Sequence, residues 1–141
     1  MSRIYWDSML FIYLLEANQQ YGTRVRSIHS RMKERQDQLL TGSFTFGEVL
    51  AGTYRRAVPD LTARVRMGMQ NLVAEVVDFT IETAERYAQI RGNLNLAPAD
   101  AIHLSLASQA GVDLFLTNDK RLLGKFVPGI QFIASLEDKV L

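Results

Sequence analysis

Short runs of β-prone apolar residues recur along the chain, and segments with the three- and four-residue spacing of amphipathic helices separate them. We predict strands over residues 3–6, 39–43, 75–79, 114–116 and 130–133. An alternation of strands and helices is typical of a mainly parallel sheet that is covered by helices on both faces and connected by right-handed crossovers. The pattern therefore predicts an α/β fold, a three-layer sandwich.

The helical segments carry start and stop signals. Apolar residues repeat at helical spacing over residues 8–16, 23–38, 61–72 and 81–90. Thr45 and Glu48 match the Ser/Thr-x-x-Glu capping box, which predicts a further helix that begins there. Pro98 fits the first turn of another helix, and Gly111 is expected to end that helix in the left-handed conformation.

The composition is that of an ordinary globular protein. The 141 residues fit one domain over residues 1–141, with 48% hydrophobic residues, 22% charged residues and a mean hydropathy of -0.02. The absence of cysteine excludes disulfides, thiolate metal sites and cysteine nucleophiles, and it fits a reducing cytosol. The apolar run 9–15 is too short to span a bilayer and follows Asp7, so we expect no signal peptide, no membrane association and a cytoplasmic location.

Four acidic residues share one kind of position, at the carboxyl end of a strand or in the first turn of a helix. They are Asp7, Glu48, Asp100 and Asp119. Each has a structural explanation when taken alone, as a helix cap or as a charge that favours the helix dipole. Asp119, for example, would cap a short helical turn after the fourth strand. Because the carboxyl ends of parallel strands meet at one edge of a sheet, all four are expected to project into one crevice.

Crowded carboxylates repel each other unless a divalent cation neutralises them. Hard oxygen ligands suit Mg²⁺ or Mn²⁺, whereas the lack of cysteine and the presence of only two histidines argue against zinc. One or two such ions can activate water for in-line attack on a phosphodiester. If four of the 15 acids occupy the crevice, the other 11 face 16 Lys and Arg, which leaves the remaining surface near +5 and suited to a polyanion. The residues therefore predict phosphodiester hydrolysis.

Four segments in order resemble the PIN-domain ribonucleases, and in particular the VapC-like toxins of toxin–antitoxin pairs. They are the first strand with Asp7-Ser8, SFTFGEVLAG at 43–52, ADAIHLSLA at 99–107 and LTND at 116–119. The resemblance spans nearly the whole chain and implies a five-stranded parallel sheet and a metal-dependent endoribonuclease that uses Mg²⁺ or Mn²⁺. It implies that the four carboxylates are the catalytic metal ligands. It also implies three supporting side chains, which are Thr117, Asn118 and Ser8.

One departure from the family pattern follows Asp119. Many relatives carry a further acid a few residues later, whereas this chain reads KRLLG over residues 120–124, so a second metal ion is expected to bind weakly. The resemblance also implies an RNA substrate, a cleavage that leaves a 5′-phosphate, a homodimer, and a cognate antitoxin that blocks the acidic site, often with a basic side chain.

Other polar residues near the four segments have more than one interpretation. His103 shares a helix face with Asp100, and it is either a support for the site or a histidine hydrogen-bonded within the core. His29, in the charged helix, is expected to be solvated. Lys120 and Arg121 are expected at the rim of the crevice, where they would contact phosphates.

Three alternative classes are open. A response-regulator receiver also has an acidic Mg²⁺ pocket, but Asp78 precedes the end of its predicted strand and no lysine follows a late strand in the required way. A phosphatase of the haloacid dehalogenase type needs Asp-x-Asp after the first strand, where this chain has Asp7 followed by Ser8 and Met9. A non-catalytic PIN-like domain that binds RNA or a partner would not require all four acids.

Overall fold

The strands and helices alternate along the chain as an α/β fold requires. The structure is a computed structural model, and it describes residues 1–16 and 18–141. Within these ranges the strands are β1 (Arg3–Trp6), β2 (Gln38–Gly42), β3 (Glu75–Val77), β4 (Val112–Thr117) and β5 (Ile130–Ser135). The helices are α1 (Ser8–Leu15), α2 (Gly22–Arg35), α3 (Ser43–Arg55), α4 (Leu61–Leu72), α5 (Ile81–Asn93) and α6 (Pro98–Ala110). A 3₁₀ turn covers Lys120–Leu122.

The five strands form one parallel sheet in the order β3-β2-β1-β4-β5. The predicted three-layer α/β sandwich is therefore confirmed. The chain winds outward from β1 to β3, and then returns to the other side of β1 to form β4 and β5. Such a reversal leaves a crevice at the carboxyl ends of the two central strands, where open α/β sheets bind their ligands.

Alternate side chains of the central strands enter two separate cores. On β1, Ile4 and Trp6 pack with α1, α2, α3 and α4, whereas Tyr5 packs with α5 and α6. All three side chains are fully buried, and complete burial of such an apolar side chain contributes roughly 1.5–3 kcal/mol. Burial on both faces explains why the central strands read as continuous apolar runs rather than as alternating ones.

The capping box predicted at Thr45 and Glu48 is wrong. α3 begins two residues earlier, at Ser43, with Gly42 as its N-cap and with no side-chain cap. Thr45 is fully buried, and its hydroxyl accepts a hydrogen bond from Thr41 at 2.8 Å instead of capping the helix. Glu48 consequently lies in the second turn of α3, where its carboxylate is available to other elements.

Other predicted boundaries shift by a few residues. α2 ends at Arg35 rather than at residue 38, because Gln36 takes the left-handed conformation with φ of 61°. β3 ends at Val77 rather than at residue 79, because Thr80 and Thr83 form the capping box that begins α5. β1 has the predicted bounds, β2 begins and ends one residue earlier than predicted, and β4, β5 and α5 extend one to three residues beyond the predicted ranges.

The segment from α6 to the 3₁₀ turn agrees with the sequence prediction. Pro98 lies in the first turn of α6, and Gly111 ends this helix in the left-handed conformation with φ of 69°. Asp119 caps the 3₁₀ turn through a hydrogen bond from the Arg121 backbone N–H. No helix in the described part of the chain has the length and apolar character that a membrane crossing needs.

Candidate active site

The four predicted carboxylates line one open cavity at the carboxyl edge of the sheet. Asp7 follows β1, Glu48 projects from α3, Asp100 lies in the first turn of α6, and Asp119 follows β4. Further side chains that line the cavity include Ser8, Tyr13, His103, Asn118 and Lys120. The acids therefore come from four different elements, and the reversal of winding between β1 and β4 brings two of them together.

Asp7 is the most buried of the four carboxylates, with 9% of its surface exposed. Its Oδ1 accepts a hydrogen bond from the Met9 backbone N–H at 3.1 Å, and this bond caps α1. Its Oδ2 accepts a hydrogen bond from the Thr117 hydroxyl. Burial raises the pKa of Asp7 from 3.8 to about 6, although these two hydrogen bonds oppose the shift. A carboxylate in this position favours a positive charge nearby.

Glu48 is held by two donors at a single oxygen. Its Oε1 accepts hydrogen bonds from the Ser8 hydroxyl at 2.9 Å and from Nε2 of His103 at 2.5 Å. Burial alone would raise the pKa of Glu48, but the hydrogen bonds from His103 and Ser8 outweigh burial, so the net effect lowers the pKa. Glu48 is consequently an ionised acceptor with a fixed position.

The pKa of Asp100 is raised in part by repulsion from neighbouring carboxylates. Burial raises its pKa first, and the negative charge of Asp119 raises it further, with a smaller contribution of the same sign from Glu48. The guanidinium of Arg121 opposes these effects. Asp100 therefore interacts electrostatically with Asp119 and Glu48.

Asp119 is paired with a basic residue from its own turn. Arg121 donates from its side chain to both carboxylate oxygens of Asp119, at distances from 2.7 to 3.2 Å. Those hydrogen bonds lower the pKa of Asp119. The same guanidinium lies 3.8 Å from Asp100 and is 75% exposed, so Arg121 stands at the rim of the cavity.

The predicted supporting residues differ in what they contact. Thr117 donates to Asp7 and also accepts a hydrogen bond from the Asp119 backbone N–H at 3.0 Å. Ser8 contacts Glu48. Asn118 instead donates to the Tyr13 hydroxyl at 2.9 Å.

Both histidines differ from the simplest expectation. His103 is 4% exposed and its Nε2 contacts Glu48. It is therefore both a buried histidine and a hydrogen-bond partner of a cavity carboxylate. His29 is not freely solvated, since it is partly buried with its ring edge-on to Trp6 at 6.0 Å. Neither contact follows from local spacing.

Asp78, the residue weighed for a receiver-like pocket, lies elsewhere. It follows β3, which is an edge strand of the sheet, and it is not among the described residues that line the acidic cavity. A phosphoacceptor at the central crevice is therefore not supplied by Asp78.

The chemistry of the donors fits a hard divalent cation. The cavity offers carboxylate, hydroxyl and amide oxygens, which are the ligands that Mg²⁺ and Mn²⁺ prefer. Across residues 1–16 and 18–141, no three His, Cys, Asp or Glu side chains lie close enough together to coordinate an ion as they stand. Mg²⁺ commonly keeps several waters and uses one or two carboxylates, so this open arrangement suits a hydrated ion better than a closed protein cage.

The fold and the acidic crevice identify the class of protein. The family model of the PIN domain matches residues 4–125, and the chain therefore belongs to the PIN domain family. A search of curated proteins with the sequence found no match.

Solved structures with the same fold are toxin–antitoxin proteins. DNA-bound VapBC from Salmonella typhimurium matches with a TM-score of 0.75 at 22% identity, over 96% of this chain and 99% of that chain. VapBC2 from Rickettsia felis, bound to a DNA fragment from its promoter, matches with a TM-score of 0.71 at 13% identity, over 94% and 98%. VapC20 from Mycobacterium tuberculosis, a toxin that cleaves the sarcin–ricin loop, matches with a TM-score of 0.63 at 15% identity, over 79% and 86%. The fold is thus the one that VapC toxins share.

Proposed function

We propose that the protein is a Mg²⁺- or Mn²⁺-dependent endoribonuclease and the toxin of a toxin–antitoxin pair. The observation that carries the proposal is the cluster of four carboxylates in one open cavity at the reversal of the sheet. Their repulsion, together with burial, opposes ionisation of Asp100 and would be relieved by a cation. Membership in the PIN domain family, whose nucleases generally use divalent metals, supports the same chemistry.

Asp7, Glu48, Asp100 and Asp119 would hold the ion. A bound divalent cation supplies a water nucleophile of lowered pKa and a positive charge beside the leaving oxygen of the phosphodiester. The protein's own groups set the geometry. Thr117 fixes Asp7 across the two central strands, whereas Ser8 fixes Glu48 across the gap between α1 and α3. The expected products carry a 5′-phosphate.

The rim of the cavity supports a nucleic-acid substrate. Arg121 and Lys120 follow Asp119 directly, and their side chains are 75% and 71% exposed. Basic groups beside an acidic pocket would contact the phosphates that flank the scissile bond. The basic excess elsewhere on the surface would add sequence-independent attraction for RNA.

A protein partner is part of the proposal. Salmonella VapBC and the other matched complexes contain an antitoxin, and a basic antitoxin side chain would complement the acidic cavity. We propose a homodimer in the cytoplasm as the toxin's state, to be checked by light scattering of the purified protein.

The decisive test is metal-dependent cleavage by the purified protein. Structured RNAs, including the sarcin–ricin hairpin, would be incubated with Mn²⁺ or Mg²⁺, with a chelator, or with neither. Asp7→Asn and Asp100→Asn should abolish cleavage, whereas Glu34→Gln, a matched change on the outer face of α2, should not. Equal cleavage by wild type and both Asp variants, or cleavage that a chelator does not affect, would refute the proposal. RNA binding without cleavage would instead establish the non-catalytic alternative.

A further inference from the structure

A buried chain of hydrogen bonds lies beneath the acidic cavity, on the face of the sheet that α6 covers. Tyr5 of β1 is fully buried, and its hydroxyl oxygen lies 3.0 Å from Nδ1 of His103. The other ring nitrogen of His103 lies 2.5 Å from Oε1 of Glu48. These two hydrogen bonds therefore connect Tyr5, in the centre of the core, with Glu48, one of the four cavity carboxylates.

The chemistry of these groups fixes the direction of the hydrogen bond to Glu48. An ionised carboxylate only accepts, so the proton between His103 and Glu48 must reside on Nε2. Burial raises the pKa of Tyr5 far above its ordinary value, so its hydroxyl keeps a proton with which to engage Nδ1. A partner at Nδ1 favours the state in which Nε2 carries its proton.

Packing holds both rings in place. The Tyr5 ring stacks on Phe115, with ring centroids 5.2 Å apart and an interplanar angle of 8°. The His103 ring meets Phe44 edge-on at a centroid distance of 5.4 Å. His103 also comes from the middle of a regular helix, α6, rather than from a loop. The orientation of the imidazole is thus set by rigid neighbours before any ligand binds.

The two carboxylate oxygens of Glu48 differ in their hydrogen bonds. Oε1 accepts from both Ser8 and His103. Oε2 accepts no hydrogen bond from the residues that the structure describes, so it is the oxygen that can serve a cation. Partners of this kind commonly orient the carboxylates and imidazoles that bind metals.

We infer that His103 is a positioning residue, held by Tyr5, which orients Glu48 so that Oε2 is presented to the divalent cation. This inference rests on the proposed function, because it requires a cation in the cavity. It assigns to His103 a task that acts through Glu48. The observation that favours this role over simple core packing is the identity of the Nε2 partner, which is a carboxylate of the cavity and not a group of the core.

The first test observes the proton directly in the metal-free protein. Long-range ¹H–¹⁵N NMR spectra distinguish a protonated from an unprotonated Nε2, and the chain has only two histidines. His29→Gln assigns the signals. We expect a protonated Nε2 on His103 in the wild type, and in Tyr5→Phe a changed Nδ1 shift with Nε2 still protonated, because Glu48 still accepts from Nε2. An unprotonated Nε2 in the wild type would overturn the inference without reference to activity.

The second test measures Mn²⁺ affinity without RNA, by electron paramagnetic resonance of free Mn²⁺. His103→Leu removes both hydrogen bonds and should weaken binding roughly 10- to 100-fold, the usual effect of losing such a partner. His103→Gln offers an amide N–H at a similar reach and should restore much of the affinity. Tyr5→Phe should weaken binding less than His103→Leu does, and Tyr87→Phe, a matched change on α5, should leave binding unchanged.

The outcomes separate this inference from the proposed function. If the wild type binds no Mn²⁺, the proposed function fails and the inference fails with it. If His103→Leu binds Mn²⁺ as well as the wild type does, only the inference fails. Should His103→Leu not fold, the Tyr5→Phe affinity and the NMR spectra decide, since loss of a single hydroxyl leaves the ring packing in place.

Discussion

The Thr117 hydroxyl donates a hydrogen bond to Oδ2 of Asp7 and thereby joins the carboxyl ends of β4 and β1. These are the two strands between which the winding of the sheet reverses. Thr117 also accepts a hydrogen bond from the Asp119 backbone N–H at 3.0 Å. One buried hydroxyl therefore positions two of the four acids.

Thr117→Val should destabilise the protein and weaken metal binding together. Valine keeps the shape of threonine but leaves a buried carboxylate oxygen and a backbone N–H without their partner, which typically costs about 1–3 kcal/mol. Urea denaturation without metal would measure the change in the free energy of unfolding. Thr23→Val, a change on the exposed side of α2, is the matched control. A Thr117→Val protein as stable as the wild type would show that the hydroxyl contributes nothing.

Asp7→Asn should make the metal-free protein more stable at pH 7.5 while abolishing metal binding. The pKa of Asp7 is about 6 in the folded protein and 3.8 in its ordinary state, so the folded state binds more protons between these values. The contribution of Asp7 to stability is therefore greatest below pH 4 and falls as the pH rises through 6, by roughly 2–3 kcal/mol for a shift of this size. Asparagine cannot ionise, and its oxygen can still accept from Met9.

Urea denaturation of wild type and Asp7→Asn at several pH values between 4 and 7.5 would measure this difference. The stability advantage of Asp7→Asn should grow with pH and shrink toward zero near pH 4. A Glu34→Gln variant reports the effect of losing an exposed carboxylate. A constant difference at all pH values would mean that Asp7 is not protonated more readily in the folded state.

The alternation of strands and helices and the bounds of α4 and α6 follow from local signals in the sequence. Pro98 and Gly111 bound α6 as predicted because the conformations they favour belong to the first turn and to the residue after the last turn. The burial of the central strands on both faces was readable from their apolar runs. Asp7 and Asp119 were found because a strand precedes each of them.

Contacts between distant segments were not readable in the same way. Glu48 matched a capping box, yet its partners are Ser8 and His103, which lie 40 and 55 residues away along the chain. Helical spacing placed His103 near Asp100 but contained no information about Glu48 or Tyr5. Such pairings depend on how α3 and α6 pack across the end of the sheet, and a single sequence does not encode that geometry in any local pattern.

Arg121→Gln should strengthen Mn²⁺ binding and weaken RNA binding. The guanidinium engages both oxygens of Asp119, so a cation that uses this carboxylate must compete with it. The gain should be no more than a few-fold, because an exposed ion pair is screened by water. Arg31→Gln is the matched control, since Arg31 lies away from the cavity and pairs with Glu34 of α2 at 3.2 Å. Weaker Mn²⁺ binding by Arg121→Gln would show that the arginine supports the site rather than competing for it.

Gly129→Ala should destabilise the fold without altering the acidic cavity. Gly129 has φ of +93°, and a Cβ at this position would overlap the carbonyl oxygen of Ser108 at the end of α6. Left-handed strain and the displacement of a helix end together should cost about 2–5 kcal/mol. Gly92→Ala is the matched control, because nothing lies within 4 Å of its added Cβ, and in α5 it should stabilise the protein by roughly 0.5–1 kcal/mol. Thermal unfolding would measure both changes. Mn²⁺ titration of the folded protein should give the wild-type affinity for both variants, since neither glycine lines the cavity. An unchanged stability of Gly129→Ala would mean that the segment before β5 can move away from α6 at little cost.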